Sequence, residues 1–411
     1  MTMNARRRRA HHRLAALPGV RPVRRPVRPG SDEQFDLYYV RTGRKSAHPL
    51  VIIPGGPGAA SIALYRGLRR RAAAEGLDVI MVEHRGVGLS RHDDHGADLP
   101  PEALTVDQVV DDVAAVLDDA AVEKAVVYGT SYGTYIAAGL GVRHRDRVHA
   151  MVLDSPLLSA RDIDAVREAT RSLLWDGDHP ETAALAPKVR RLVDADVLSP
   201  AATQLAMAVY GFAGPELLHR QLDLLLVGRR WLWSGMAGVT RFALERKAPY
   251  RHEPDLVGRI GYRELNYGAV PDGKPFDPAV AYHDVGAATT QFEQEPFDLV
   301  ADMPTFDWLT VVISGGRDLI TPLTVSRRVA SLIPHAVLVG MASAGHSILD
   351  LRERAALDIV KAIYEGTVAS LPARAATLDA KPAGFGVRAL VWAIAAVAVL
   401  ESSIPHKARA S

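Results

Sequence analysis

The pentapeptide Gly129-Thr130-Ser131-Tyr132-Gly133 constrains this chain more than any other feature. It follows an apolar, β-branched run, Ala125 to Tyr128, and precedes a helical stretch, Thr134 to Val142. A strand that turns directly into a helix holds its central residue in strained backbone geometry. Small residues two before and two after keep the neighbouring backbone from clashing. Ser131 then projects its hydroxyl above the carboxyl edge of a sheet. The helix that begins there aims free N–H groups and the positive end of its dipole at the same point. A glycine-rich turn with a capping serine is the bland alternative. The strand before and the helix after favour a nucleophile.

A serine hydroxyl is a poor nucleophile at neutral pH and needs a base, usually a histidine oriented by a carboxylate. Both follow in chain order. Asp318 stands in Ser314-Gly315-Gly316-Arg317-Asp318, just past the apolar run Leu309 to Ile313. His346 stands in Ala344-Gly345-His346-Ser347, past the run around Val337 to Val339. Each falls at the carboxyl end of an expected strand, where open α/β sheets build their sites. Asp154, at the end of an earlier strand, is the second choice of acid. An oxyanion hole needs two backbone N–H groups. One is expected from Tyr132. The other should come from the loop Pro54-Gly55-Gly56-Pro57-Gly58, where Pro57 has no N–H and Gly56 is the donor chosen.

The surrounding pattern is one of short apolar runs alternating with helical segments. Leu50 to Ile53, Val79 to Val82, Ala125 to Tyr128, Met151 to Leu153, Leu309 to Ile313 and Val337 to Val339 have the look of parallel strands buried on both faces. Phe35 to Val40 alternates, as an antiparallel strand does. Thr105 to Ala121 carries one apolar stripe, with Thr105 and Gln108 placed as a capping box. Ser347 to Glu365 reads as another amphipathic helix, closed by Gly366. Strands alternating with helices predict a parallel sheet covered on both sides. From about Pro156 to Met303 the alternation stops, and the segment reads as a helical insertion. The expected division is therefore a core over 31–155 and 304–370, a helical cap over 156–303, a basic tail over 1–30, and a linker with an apolar segment over 371–411.

Composition removes several functions. There are no cysteines, so no disulfide, zinc-thiolate site or cysteine nucleophile exists. Lys plus Arg number 49 and Asp plus Glu 47, a near-balance that argues against a dedicated nucleic-acid binder. Gly56-Pro57-Gly58 followed by Glu83 mimics a dinucleotide fingerprint, but Ser61 replaces the third glycine and Pro57 removes a phosphate-binding N–H. His92-Asp93-Asp94-His95 lacks regular ligand spacing and reads as a solvated loop. No cofactor and no metal are expected.

The ends are unusual. Residues 1–30 hold nine arginines, four prolines and no acid, and are expected to be a disordered basic tail. No apolar run of signal-peptide length follows the arginines, so a cytoplasmic location is expected. Ala389 to Leu400 is an uncharged apolar run of twelve residues, too short to span a bilayer. Docking on the protein's own surface is the expectation, with a peripheral membrane or oligomer contact as the alternative.

Taken together, PGGPG at Pro54 to Gly58, EHRGVGLS at Glu83 to Ser90, GTSYGTYIA at Gly129 to Ala137, SGGRDLITP at Ser314 to Pro322 and AGHS at Ala344 to Ser347 resemble the proline iminopeptidase and tripeptidyl aminopeptidase branch of the α/β-hydrolases. Pro54 replaces that branch's usual His, and Glu83 its usual Asp. The resemblance implies an α/β-hydrolase fold, a mostly parallel twisted sheet flanked by helices with an inserted, mainly helical cap. It implies Ser131 as nucleophile, Asp318 as acid, His346 as base, and Gly56 and Tyr132 as oxyanion donors. It also implies release of N-terminal residues from peptides through an acyl-enzyme. An esterase or amide hydrolase is the alternative, and a non-catalytic binding module on a hydrolase scaffold is the alternative of another class. Glu264, flanked by Tyr262 and Tyr267 late in the cap, is the candidate receptor for a substrate ammonium group, with simple pairing to Arg263 or a nearby arginine on the surface as the alternative.

Overall fold

The computed structural model describes residues 4–199, 202–245 and 248–403. Eight strands make one sheet: β1 (Val20–Pro26), β2 (Gln34–Thr42), β3 (Leu50–Ile53), β4 (Val79–Val82), β5 (Ala125–Thr130), β6 (Val148–Asp154), β7 (Leu309–Gly315) and β8 (Ala336–Met341). Their spatial order is β1-β2-β4-β3-β5-β6-β7-β8. From β4 to β8 all neighbours are parallel, and β2 runs antiparallel to both β1 and β4. Every residue of β3 and β5 is buried, as the apolar runs Leu50–Ile53 and Ala125–Tyr128 require.

Alternate residues of these strands feed two cores. Val51, Ile53, Val127, Met151 and Val312 face the layer that contains the helices Val106–Asp119 and Tyr132–Arg143. Leu50, Ile52, Val126, Val152 and Ile313 face the layer built by the helices Arg66–Ala74 and Glu353–Tyr364. The Thr105 hydroxyl accepts from Gln108 N (3.2 Å), which starts the first of these helices as expected. The helix expected over Ser347–Glu365 is broken at Arg352 into a short turn, Ile348–Leu351, and Glu353–Tyr364.

Between β6 and β7 the chain is helical, from Asp162–Arg171 to Val280–Thr289, with no strand among the described residues. It has its own apolar cluster, including Leu174, Leu192, Leu218 and Leu222, so this insertion packs as a separate layer.

Residues 4–30 are not a disordered tail. Asn4 caps a helix over Ala5–Ala15, and β1 pairs along its length with β2. Ala10, Leu14, Ala15 and Leu17 rest on the apolar core, while acids remote in sequence meet part of the charge. Arg7 pairs with buried Glu253 (2.5 Å) and Arg25 with buried Asp112 (2.8 Å). An edge strand tolerates prolines and arginines because one side of its ladder has no partner to lose. That is why β1 carries a composition that reads as disorder.

The other end also differs from expectation. The helix Leu371–Asp379 lies against β8, with Leu371 and Leu378 buried. Asp379 accepts from Ser343 N (2.8 Å) and Arg352 Nη1 (2.6 Å). Residues 371–379 therefore complete the core rather than link to something else. The apolar run sits in a helix of 19 residues, Phe385–Ser403, longer than the twelve-residue run itself. It is the one helix among the described residues long and apolar enough to cross a membrane by length and composition. Residues 404–411 of the expected end segment lie outside the described residues.

Candidate active site

Ser131 sits between β5 and the helix Tyr132–Arg143 with φ 52° and ψ −125°, a conformation that costs about 1–3 kcal/mol and persists only where the surroundings enforce it. The flanking glycines are a steric necessity here. A Cβ on Gly129 would overlap the Gly133 carbonyl, and one on Gly133 would overlap the Ile53 carbonyl.

The structure brings Ser131, Asp318 and His346 together. His346 Nε2 lies 2.8 Å from Ser131 Oγ, and Nδ1 lies 2.9 Å from Asp318 Oδ2. Asp318 is buried and also accepts from Ile320 N (2.9 Å), Thr321 N (2.9 Å) and the Thr321 hydroxyl (2.8 Å). Burial alone would lower the His346 pKa. The charge of Asp318 and the hydrogen bond to it outweigh burial and hold that pKa above its ordinary value. Asp318 moves the other way: burial pushes it up, but His346 and the Thr321 donors leave it below the usual carboxylate range. The pair is thus set for an anionic Asp318 that keeps the Nδ1 proton on His346, with Nε2 facing the hydroxyl.

Asp154, the second choice of acid, has a different task. Its carboxylate accepts from the Tyr128 hydroxyl (2.9 Å), Ile348 N (3.0 Å) and Leu349 N (2.8 Å). It ties the end of β6 to the turn that carries His346. Burial pushes its pKa up to about 6 despite these donors. A carboxylate at a strand's carboxyl end was visible in the sequence; that it orients the histidine loop was not.

Gly56 and Pro57 line the same cavity as Ser131 and His346, and Gly56 has φ 132°, where a side chain would be strained. Gly55 passes so close that a Cβ there would stand 3.1 Å from Ser131 Cβ. The Tyr132 N–H opens a helix and has no carbonyl four residues back within it. The Tyr132 side chain is held beneath by His84. His84 Nδ1 donates to the Arg85 carbonyl (2.6 Å), so its Nε2 accepts from the Tyr132 hydroxyl (3.0 Å). Burial lowers the His84 pKa to about 4, consistent with that neutral tautomer. Glu83 is buried, and its two oxygens accept from Ile62 N (2.9 Å) and Leu89 N (3.2 Å). It fastens the loop below the site.

Above Ser131 lies a cavity of about 560 Å³ between core and insertion. Its walls include Tyr135 from the core and Tyr262, Tyr267 and Tyr282 from the insertion. Three charged side chains on these walls were not singled out in the sequence, and one of them, Asp255, is paired with Arg91 (2.7 Å). Asp162 has its pKa pushed up to about 6 by burial, partly offset by Leu158 N (2.7 Å). Arg259 has a buried Nε with no partner.

Glu264 is not among the residues lining this cavity. Its Oε2 accepts from Val106 N (2.8 Å), and Oε1 accepts from Arg263 Nε (3.0 Å) and Nη2. The candidate ammonium receptor is instead an anionic cap on the helix Val106–Asp119, buried with its own counter-ion. In the His92 to His95 loop, Asp94 pairs with Arg24 and Asp93 accepts from His95 N and Ala97 N, while His92 is buried rather than solvated. No metal-holding cluster occurs among the described residues.

The α/β-hydrolase family model matches residues 48–353, most of the chain. The chain belongs to the α/β-hydrolase family. Its similarity to curated relatives points to one branch. It is 21% identical over 322 residues to a proline iminopeptidase of Neisseria meningitidis, covering 77% of this chain and 89% of that protein. It is 26% identical over 194 residues to one from Arabidopsis thaliana, covering 45% of this chain and about half (49%) of that protein. Among solved structures, a proline iminopeptidase of Mycobacterium smegmatis covers 85% of this α/β-hydrolase at a TM-score of 0.51 and 18% identity. At that identity the likeness speaks for the fold alone.

Proposed function

We propose that this α/β-hydrolase is a serine hydrolase that works through an acyl-enzyme, and that it releases N-terminal residues, proline among them, from short peptides. The hydrogen-bonded line Ser131–His346–Asp318 at the floor of the cavity between core and insertion carries the first part. In this reading His346 takes the Ser131 proton as the oxygen attacks the substrate carbonyl, and returns it to the leaving amine. Gly56 N–H and Tyr132 N–H receive the oxyanion. Water then repeats the sequence in reverse to free the acid.

The aminopeptidase part draws on the names of the curated relatives and on the cavity walls. Asp162 has no cationic partner among the described residues, and once ionised it supplies a counter-charge for a free α-amine. The tyrosine walls suit a compact apolar ring such as a prolyl side chain. A panel of prolyl and other aminoacyl arylamides, their N-acetylated forms and a simple acetyl ester tests the reading. Free-amine arylamides should be preferred. Asp162→Asn should lower kcat/KM for them by about tenfold or more, the worth of one desolvated charge contact, and leave the acetyl ester nearly unchanged. Equal turnover of free and N-acetylated substrates would make the protein a general esterase or amidase.

We propose in addition a cytoplasmic enzyme with a peripheral membrane contact through residues 389–400. Leu390, Trp392, Val399 and Leu400 are exposed on that helix, and Phe385 precedes them. Glu401 pins the helix to the cap by accepting from Trp231 N (3.0 Å) and Leu232 N (3.2 Å), which favours a helix lying on a surface over one that leaves the protein to span a bilayer.

A further inference from the structure

A second cavity, of about 800 Å³, lies apart from Ser131 between the N-terminal helix, the His92 loop and the segment Pro249 to Arg251. Arg6, Arg9, Arg13 and Arg251 line it. The first three are spaced i, i+3 and i+7, so they share one face of the helix Ala5–Ala15. None of the four side chains has a hydrogen bond or ion pair among the described residues. Other arginines of this region are neutralised: Arg7 by Glu253, and Arg91 by Asp98 and Asp255. The four are therefore a surplus of positive charge around one concavity. Like charges at such helical spacing are destabilising, and the fold leaves them unpaired while pairing their neighbours.

A second observation points the same way. His92 lines this cavity and is more than nine-tenths buried, and its Nδ1 has no hydrogen-bond partner. Arg7 Nε is likewise buried without one. We infer that this cavity is a binding site for a compact polyanion bearing two or more phosphate groups. Guanidinium forks match phosphate oxygens in pairs. Seven residues of helix rise about 10 Å, enough to place Arg6 and Arg13 at opposite ends of a short phosphate chain. Arg251 closes it from the other side. The site also abuts the catalytic loop: the Arg251 carbonyl accepts from Ala60 N (2.9 Å), and Glu253 N donates to the Gly58 carbonyl (2.9 Å). A ligand bridging the helix to Arg251 would fasten the N-terminal helix to the segment that buttresses Gly56. The inference does not depend on the chemistry of Ser131.

Calorimetric titration of the full chain with inorganic tripolyphosphate tests it. Saturable one-site binding that weakens with added salt is expected. Arg9→Ala/Arg13→Ala/Arg251→Ala should bind about a thousandfold more weakly or not at all, and Arg251→Ala alone about tenfold more weakly, as each lost charge contact is worth roughly a factor of ten. Arg327→Ala/Arg328→Ala, on the exposed face of a distant helix, should bind as the parent does. Ester hydrolysis and the melting profile report whether each variant is folded. Sedimentation with phosphatidylglycerol vesicles against phosphatidylcholine vesicles separates two sources of the same chemistry. Co-sedimentation lost in the triple variant and displaced by tripolyphosphate assigns the site to lipid headgroups. Tripolyphosphate binding without co-sedimentation assigns it to a soluble phosphate compound. No saturable binding by the parent, or equal weakening by the Arg327/Arg328 pair, would overturn the inference.

Discussion

The most demanding position in the chain is Ser131, because its backbone strain is maintained by glycines that nothing else can replace. Removing its hydroxyl leaves that scaffold intact. Ser131→Ala should fold normally and lose turnover by about a million-fold, measured as kcat on whichever acyl substrate the panel identifies. The neighbouring prediction concerns protons. His346 must be neutral to act as a base, so kcat/KM should rise with pH through its pKa. Since Asp318 holds that pKa above the ordinary 6.5, the acid limb should have its midpoint above that value. Asp318→Asn removes the charge that raises it. The limb should then move to lower pH while the rate falls by about ten-thousand-fold, because the amide favours the wrong imidazole tautomer. A limb that stays put on loss of Asp318 would detach this carboxylate from the histidine. Asp154→Asn is expected to act differently, through the placement of the turn at Ile348 and Leu349.

Elements decide where the chain can be cut or loosened. Glu264 caps a core helix, so Glu264→Ala should destabilise the fold by about 1–3 kcal/mol, the cost of leaving the buried Val106 N–H unpaired. Denaturant unfolding would read this, and kcat/KM per folded molecule should stay near the parent's. Ending the chain at Ser370 should be far more damaging than ending it at Gly384. The first cut uncovers Leu371 and Leu378, each worth about 1.5–3 kcal/mol when fully buried, and removes Asp379 from Ser343 and Arg352. The second removes a mostly exposed helix, together with Ala398 from its small cluster with Leu217, Leu224 and Leu232 and Glu401 from Trp231 N and Leu232 N, but leaves the sheet and its two cores covered. The Gly384 form should keep its catalytic rate and lose whatever vesicle binding that helix confers. Were both cuts equally tolerated, the helix Leu371–Asp379 would not be part of the core. These elements also show where sequence patterns stop being informative. β3 and β4 match the expected Leu50–Ile53 and Val79–Val82 residue for residue, because a strand buried on both faces has no other way to be written. β1 was missed because an edge strand of arginines and prolines is stabilised by partners far away in sequence. Glu264 was misplaced for the same reason: its neighbours Tyr262 and Tyr267 suggested a pocket, whereas its partner Val106 lies 158 residues away.

For the molecule as a whole, the sheet and the three residues at its carboxyl edge were legible because local rules govern them: continuous apolar runs, a glycine-flanked serine, and an acid and a histidine just past two strands. The cavity was not, since Arg259 and Tyr262 meet it from the helix Pro254–Leu265 and Asp162 from Asp162–Arg171, about a hundred residues earlier, and no spacing links either helix to Ser131. The central claim rests on the first group and makes Ser131 the one hydroxyl in the chain activated by His346. Reaction with a fluorophosphonate tests that claim most directly, because it requires the nucleophile, the base and the oxyanion donors together but no knowledge of the substrate. Intact-mass measurement should show one adduct per chain, and peptide mapping should place it on Ser131. The adduct should be absent from Ser131→Ala and from His346→Ala. A fully folded parent that takes up no label, or one whose label maps to another residue, would contradict the account.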